Sequence, residues 1–397
     1  MINSTTLFFE INKINLTFIA GEYDEQNNFK ITYKEQVPII GVENNRITDY
    51  GKLFNVVKEN VYKIEQDLNF TFKDLVLILE NFEPTFINVT GYKKLNSSQI
   101  LRENITYILN SLKSYIDKVE DKKTIIHIFN SEFYLDYKKV ENLPIGLFGD
   151  FYSHELSFAL IKKIDYKNLN NIFEKCNLKI RKILLKSFIV GANISNSRKS
   201  LENFFKIQIN ESNSKLFYFE NNSLKHEQDF NFGSNIIIND ILKITALKKN
   251  TIKEILDEIE PQKESFNEDY IEEKFFKKDI YRKIKKKLIY DIAFARIKEI
   301  SEIILFNNVN TRHYINKKND IFLEINHESN YSILRNIYKS VFEINDKKNF
   351  EFLKNLSYDD TLNTAFKLVH FGWKKEAIPL AQPEKSGLAR LFDAIFS

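Results

Sequence analysis

The segments Phe204-Phe205-Lys206-Ile207-Gln208-Ile209, Lys215-Leu216-Phe217-Tyr218-Phe219-Glu220 and Leu224-Lys225-His226-Glu227-Gln228-Asp229-Phe230 decide the fold of this chain. The first two runs are dense in Phe, Ile and Tyr, which favour strands, and Asn221-Asn222 supplies a hairpin turn before the third. A helix is predicted over residues 235–246. The same texture opens the chain. Residues 7–11, 16–20 and 29–36 read as strands, with Gly21 and residues 24–28 turning between the last two. A helix follows over 49–68, striped by Leu53, Val56, Val57, Val61, Ile64 and Leu68, with Asp49 placed to cap it. Two halves that begin with the same three-strand meander predict an internal duplication of an αβ unit.

Between the halves, residues 75–79 read as a buried strand and 81–161 as a smaller α+β insert. The insert is predicted to hold strands at 85–89, 124–129, 133–136 and 155–161 and a helix over 98–119. Helices at 169–176 and 187–194 flank a strand at 180–185, and 196–202 reads as a connector. Residues 251–310 read as nearly all helical and heavily charged. A strand at 321–325 and helices at 329–342 and 360–371 complete the second half.

Composition narrows the function. The chain has 397 residues, 43% of them hydrophobic, enough for a substantial core. A net charge of +4 gives no nucleic-acid footprint, and none is expected as a partner. The single cysteine, Cys176, excludes an internal disulfide framework and fits a reducing compartment. No run of about 18 apolar residues is present to span a bilayer. The start, Met1-Ile2-Asn3-Ser4-Thr5-Thr6, lacks a basic region and cleavage site, so membrane contact is expected from the cytoplasmic side. Only 10 glycines occur, far below the roughly 7% average, a poor supply for phosphate-cradling loops. The six histidines, His127, His154, His226, His313, His327 and His370, show no metal-ligand spacing. They, Trp373 and Cys176 read as structural, and no catalytic triad or carboxylate pair is indicated.

The end of the chain is distinctive. Leu388, Leu391, Phe392, Ile395 and Phe396 fall at helical spacing on one face, with Arg390, Asp393 and Ser397 elsewhere. Ser386 is placed to cap this helix. Upstream, Pro379 and Pro383 mark a tether. So apolar a terminal helix is expected to bury its face in its own domain, a partner groove or a membrane interface.

These features together resemble the bacterial cell-division protein family FtsA, of the actin-like superfamily. Local segments carry the resemblance too. Glu141-Asn142-Leu143-Pro144-Ile145-Gly146-Leu147-Phe148-Gly149 is similar to the family's segment closing the insert, and residues 165–194 to its return into the first subdomain. Tyr290-Asp291-Ile292-Ala293-Phe294-Ala295-Arg296-Ile297-Lys298-Glu299-Ile300 resembles the helix written EIIExRΦxEΦ. Phe232-Gly233-Ser234-Asn235-Ile236-Ile237-Ile238-Asn239-Asp240-Ile241 resembles GGDHITNDI, with Gly233, Ile237, Asn239, Asp240 and Ile241 in register. The resemblance implies an α/β, actin-like (ribonuclease H-like) duplicated fold with a small α+β insert in the first half and a C-terminal amphipathic helix. It implies a first subdomain over 1–80 and 162–198, the insert at 81–161, and a second core over 199–246 and 316–376. A helical FtsZ-binding subdomain would span 247–315, a linker 377–387, and a membrane-targeting helix 388–397.

The nucleotide loops depart from the family. Family members bind ATP with Mg2+ between two glycine-bearing hairpins and an adenosine loop. By resemblance the corresponding positions here are Glu10 and Asn12 in the first hairpin, and Gln208, Asn210, Ser212 and Ser214 in the second. Gly233 and, in the adenosine loop, Asn326 complete the set. Gln208 stands for the metal-shell Asp, and Asn210, Glu211 and Ser212 for three glycines. Glu211 would set a carboxylate beside the phosphates, costing about 1 kcal/mol even in high dielectric, although Lys13 and Lys215 would offset part of it. Hydrolysis is not expected, nor is tight ATP binding.

The resemblance implies a cell-division scaffold at the cytoplasmic face of the bacterial inner membrane, at the division site. It would tether FtsZ filaments, self-associate through the insert, and recruit divisome proteins. Arg296 and Glu299 would meet the FtsZ C-terminal peptide, and Leu388, Leu391, Phe392, Ile395 and Phe396 would meet lipid. The basic run over 274–287 reads either as a solvated helix face or as a surface for an acidic partner or anionic lipid. Two other functions fit the same fold: a nucleotide-cycling actin-like ATPase, and an adaptor of pilus or secretion assembly.

Overall fold

The computed structural model describes residues 5–12, 14–23, 29–43, 46–80, 82–198, 200–258, 268–276, 280–315, 317–326, 332–345 and 350–377. Lys13, the tether beyond Ala377 and the tail residues Leu388, Leu391, Phe392, Ile395 and Phe396 lie outside the described residues.

One compact unit comprises Met1–Leu185 with Lys367–Ser397. It opens with the meander β1 (Thr6–Ile11), β2 (Asn15–Tyr23) and β3 (Phe29–Pro38), then a ribbon of β4 (Val42–Glu43) and β5 (Arg46–Ile47). In α1 (Tyr50–Leu68), Asp49 caps as expected, accepting the Lys52 N–H at 2.9 Å. Leu53, Val57, Val61 and Ile64 are its buried stripe. Then come β6 (Asp74–Leu79), β7 (Thr85–Gln99), α2 (Arg102–Val119), β8 (Lys123–Leu135), β9 (Lys138–Val140) and β10 (Phe148–Lys162). α3 (Lys163–Glu174) and β11 (Lys179–Leu185) follow. The main sheet has the order β11-β6-β1-β2-β3, and the insert forms an antiparallel sheet β7-β10-β8-β9.

The insert strands are longer than the sequence predicts. β7 and β10 each run 15 residues, because their outer halves alternate weakly and leave one face to solvent. The expected strands at 124–129 and 133–136 are a single β8, interrupted by a bulge at Ser131. The helix expected from 98 begins only at Arg102, since Ser98 and Gln99 still pair with β10. Gly91 lets α2 approach β7 closely, for a Cβ there would lie 2.4 Å from Ile108 Cγ2.

The second unit comprises Lys186–Phe366. It holds α4 (Lys186–Ser197), the meander β12 (Asn203–Ile209), β13 (Ser214–Glu220) and β14 (Ser223–Phe230), α5 (Asn235–Thr245) and α6 (Lys249–Glu258). α7 (Lys286–Ser301) passes into a π-helical turn, Glu302–Phe306, ahead of α8 (Arg312–Ile315). β15 (Asp320–Ile325), α9 (Ser332–Asn345), β16 (Phe350–Phe352) and α10 (Tyr358–His370) follow, the last crossing the unit boundary. The sheet order is β14-β13-β12-β15-β16. Phe205, Ile207, Ile209, Leu216, Tyr218, Ile321 and Leu323 face a core shared with α5, α6, α7 and α9.

The duplication is visible bond by bond. In each unit a central strand is antiparallel to the next and parallel to a later one: β1 with β2 and β6, β12 with β13 and β15. The hairpins close alike, by Asn12 N–H to Asn15 O at 3.1 Å and Asn210 N–H to Asn213 O at 2.9 Å. The residue after the parallel strand then bonds back alike, Glu80 N–H to Ile11 O at 3.0 Å and Asn326 N–H to Ile209 O at 2.8 Å.

The stretch expected to be nearly all helical is not. Among the described residues of 268–287, Glu273–Phe276 form one 3-10 turn and Tyr270 bridges Lys285 as strand. Like charges stacked along a helix are unfavourable, while burial of Ile271, Phe275 and Phe276 favours a wrapped path. Three of its described cations are matched by nearby carboxylates. Lys274 meets Glu258 and Glu272, Lys285 meets Glu268, and Lys286 meets Asp269 and Glu272.

Within the first unit, residues 371–377 return to the insert. Asn130 N–H donates to Lys375 O at 2.6 Å and Ala377 N–H to Ile128 O at 2.7 Å. Glu376 Oε1 lies 3.0 Å from His127 Nδ1, and Glu376 Oε2 accepts from Lys182 Nζ at 2.6 Å. Burial alone would raise the Glu376 pKa, but His127 and Lys182 outweigh it and lower it to about 2. A lowered carboxylate pKa stabilises the fold above its unfolded value and loses that contribution as pH falls through the folded value. The stability gap between wild type and Glu376→Gln should therefore shrink by about 2–3 kcal/mol between pH 5 and pH 2, measured by urea unfolding. A gap independent of pH would contradict this assignment.

Candidate functional site

The second hairpin and its neighbours form the densest polar cluster tied to the predicted nucleotide positions. Alternation along β12 sends Phe205, Ile207 and Ile209 to the helical core and Phe204, Lys206 and Gln208 to the opposite face. On β15 the same face carries Phe322 and Glu324, and Asn326 follows directly. Lys206 Nζ donates to Glu324 Oε2 at 2.6 Å. Asn326 Nδ2 donates to Glu324 Oε1 at 2.9 Å and to Asn210 Oδ1 at 3.0 Å. Gln208 Nε2 donates to the same Asn210 oxygen at 3.2 Å. A continuous chain of side-chain bonds thus joins the two strands and the loop, and it fills both hydrogens of the Asn326 amide and both lone pairs of Asn210 Oδ1.

The Lys206 side chain is 1% exposed and that of Glu324 11%. Burial lowers the Lys206 pKa while the Glu324 charge opposes the shift. Lys215 lies 3.7 Å from Asp229 on the neighbouring strand, a partly buried charge pair on this face.

The loop backbone is equally engaged. The Asn210 and Glu211 carbonyls accept the Ser234 and Asn235 N–H groups, each at 2.9 Å, so the hairpin takes two donors from the start of α5. Asn235 Nδ2 lies 3.5 Å from Glu211 Oε2, which holds a carboxylate at the positive end of the helix. Ser214 Oγ donates to Phe232 O at 2.8 Å. Gly233 makes the approach feasible, since a Cβ there would sit 2.1 Å from the Asn210 carbonyl oxygen.

Of the sequence-predicted positions, Gln208, Asn210, Ser214, Gly233 and Asn326 come together here, and Ser212 is exposed at the hairpin tip. In the other unit, Glu10 is buried on β1 between Thr17 and Ile78. Asn12 Oδ1 accepts from the Ile14 and Asn15 N–H groups at 2.9 and 2.8 Å, an Asx turn that closes its own hairpin. Sequence reasoning missed Lys206, Ser234 and Asn235. The signal for Lys206 was available, as a lone cation inside an apolar strand matched by Glu324 inside another. Among the described residues no group of three or more His, Cys, Asp or Glu is arranged to hold a metal. No helix among them is long and apolar enough to cross a membrane.

Arg296 sits on α7, where its guanidinium bonds Asp240 of α5 and, at 2.6 Å, Glu299 one turn on. Its side chain is 31% exposed. Two segments singled out by sequence, the one ending in Asn239-Asp240-Ile241 and the one containing Arg296 and Glu299, are therefore a single ion-pair network.

No protein-family model matches the chain. It is 17% identical over 232 residues to the cell division protein FtsA of Escherichia coli strain K12, covering 58% of this chain and 55% of that protein. It is 20% identical over 232 residues to FtsA of Buchnera aphidicola subsp. Baizongia pistaciae, with the same coverages of 58% and 55%. The chain thus spans about half the length of the curated relatives it matches. Among solved structures, a chain of the PilM-PilN type IV pilus biogenesis complex superimposes with TM-score 0.53 at 10% identity, covering 92% of this chain and 99% of that one. The chain resembles FtsA and has the actin-like fold. The FtsA likeness is faint in identity, 17–20% over 232 residues.

The buried pair gives a direct test of the site. Lys206→Met should leave Glu324 buried without its cation and cost about 3–5 kcal/mol. Lys206→Met with Glu324→Leu should recover most of that loss, since apolar replacement of a whole buried pair is often neutral or better. Chemical denaturation of both variants checks this, and equal losses would contradict it.

Proposed function

We propose that this chain is an FtsA-like cell-division scaffold that links FtsZ filaments to the cytoplasmic face of the membrane and assembles with copies of itself. The observation that carries the reading is the Asp240–Arg296–Glu299 network, which joins two of the segments that resemble that family. The similarity to FtsA proteins over 58% of the chain supports it. So does the tail, where Leu388, Leu391, Phe392, Ile395 and Phe396 recur at helical spacing behind two prolines.

In this reading the FtsZ C-terminal peptide meets the α7 surface around Arg296 and Glu299, the insert contributes to self-association, and the tail reaches lipid. Other divisome proteins would join the same assembly. The scaffold works without nucleotide turnover. A triphosphate with Mg2+ needs backbone N–H donors and a carboxylate for the metal shell. At the second hairpin Gln208 stands where the metal-shell carboxylate is needed, the Asn210 N–H is already bonded, and Glu211 would set a negative charge beside the phosphates. These residues do not fit that group.

One tail gives only marginal anchoring. Five apolar side chains at about 1.5–3 kcal/mol each are offset by ordering costs of about 1–2 kcal/mol per residue. Linked copies bind far more firmly. Co-sedimentation with liposomes, with and without FtsZ, tests the reading. The full chain should carry FtsZ to vesicles, and a chain lacking residues 386–397 or bearing Phe392→Glu should not. FtsZ recruitment that persists in both variants, or that never occurs with the full chain, would overturn it.

A further inference from the structure

Part of the basic run is not neutralised by the fold. Lys274, Lys285 and Lys286 meet carboxylates, but among the described residues no carboxylate pairs with Lys283 or Lys287. Arg282 Nη2 donates to Ala246 O at 2.9 Å, which lays the run against the end of α5. There Lys243 is exposed and likewise has no acidic partner among the described residues. Aliphatic side chains stand between these cations. Ile280 is 88% exposed, Ile244 on α5 60% and Leu288 on α7 42%. The backbone that displays them is pinned. Tyr281 packs edge-on against the buried Phe276, with ring centroids 5.2 Å apart. Ile271 N–H donates to Ile284 O at 2.8 Å and Lys286 N–H to Asp269 O at 2.9 Å.

Exposed aliphatic groups interleaved with unmatched cations on a held surface have the composition of an interfacial lipid contact. We propose that this surface is a second membrane contact, in which Lys243, Lys283 and Lys287 meet the headgroups of anionic lipid and Ile280 enters the interface. This contact rests on the proposed scaffold function, which gives it a purpose. In the tail, Lys385 and Arg390 are offset by Glu384 and Asp393, so the tail has little attraction for anionic headgroups. A marginal apolar anchor becomes stable when a basic patch supplies a second signal. An acidic peptide is the other partner with complementary charge, and two observations favour lipid over it. A side chain as exposed as Ile280 stands out from the surface, whereas a peptide is held in a groove. Lys287 also lies nine residues before Arg296, about two and a half turns along α7, on the side opposite the proposed FtsZ contact.

The experiment is flotation of the full chain with vesicles of phosphatidylcholine alone and of phosphatidylcholine mixed with phosphatidylglycerol. Wild type should bind the anionic vesicles about tenfold or more tightly than the neutral ones, and raised salt should remove the difference. Lys283→Glu with Lys287→Glu should abolish this preference and leave binding to neutral vesicles unchanged. Lys243→Glu, on α5, should reduce the preference about fivefold or more. Ile280→Ser should weaken binding to both vesicles, and Phe392→Glu should release the chain from both. Equal wild-type binding to the two vesicles, or a preference that survives Lys283→Glu with Lys287→Glu, would overturn the patch and leave the role of the tail standing. Loss of FtsZ binding in solution by that double variant, with its lipid preference intact, would assign the surface to an acidic protein and overturn the patch as well. Wild-type binding to neither vesicle would overturn both the patch and the scaffold reading.

Discussion

The second half of the molecule is organised around one buried chain of polar contacts, Lys206 to Glu324 to Asn326 to Asn210 to Gln208. Its parts constrain one another. Lys206 is tolerable in an apolar strand only because Glu324 stands on the parallel neighbour at 2.6 Å. Glu324 keeps its second oxygen satisfied only through Asn326, and Asn326 in turn fixes Asn210 at the mouth of the hairpin. With Asn210 placed, its carbonyl and that of Glu211 meet the first N–H groups of α5, and Gly233 is required where the two backbones meet. Removing Lys206 leaves the Glu324 carboxylate without its cation, which costs more than the bond itself contributes.

The same logic explains which parts of the molecule were legible in the sequence. The two meanders were readable because both faces of their central strands are buried, so Leu7 to Ile11 and Phe204 to Ile209 appear as dense apolar runs. The α1 cap was readable because Asp49 precedes a strong stripe. The insert strands β7 and β10 were cut short because alternation fades where one face meets water, as from Tyr92 to Gln99. The basic run was misread as helical because the acidic residues that match it, Glu258, Glu268, Asp269 and Glu272, come from outside it or from its own edge. At the hairpin, resemblance located Gln208, Asn210 and Asn326, but it could not reveal that these three amides bond one another. That fact depends on the parallel pairing of β12 with β15, a contact between residues more than a hundred positions apart.

The two units keep the same strand order while their hairpins have diverged in how they close. The first is closed by the Asn12 side chain on its own loop, and the second by the start of α5. The first loop thus accepts from its own backbone N–H groups through a side chain, and the second accepts from α5 through its carbonyls. Elsewhere in the second unit, Asp240 and Arg296 pin α5 to α7.

The central proposal is that the second hairpin, with Gln208, Asn210 and Glu211 in place, does not hold a nucleotide with Mg2+. Isothermal titration calorimetry of the full chain with ATP and Mg2+ tests this most directly. The account predicts no saturable heat at millimolar nucleotide, and the same flat trace after Gln208→Asp alone, because Asn210 and Glu211 would remain in place. Saturable, magnesium-dependent binding by the wild-type chain that is lost in Gln208→Ala would contradict it and would return the hairpin to nucleotide chemistry.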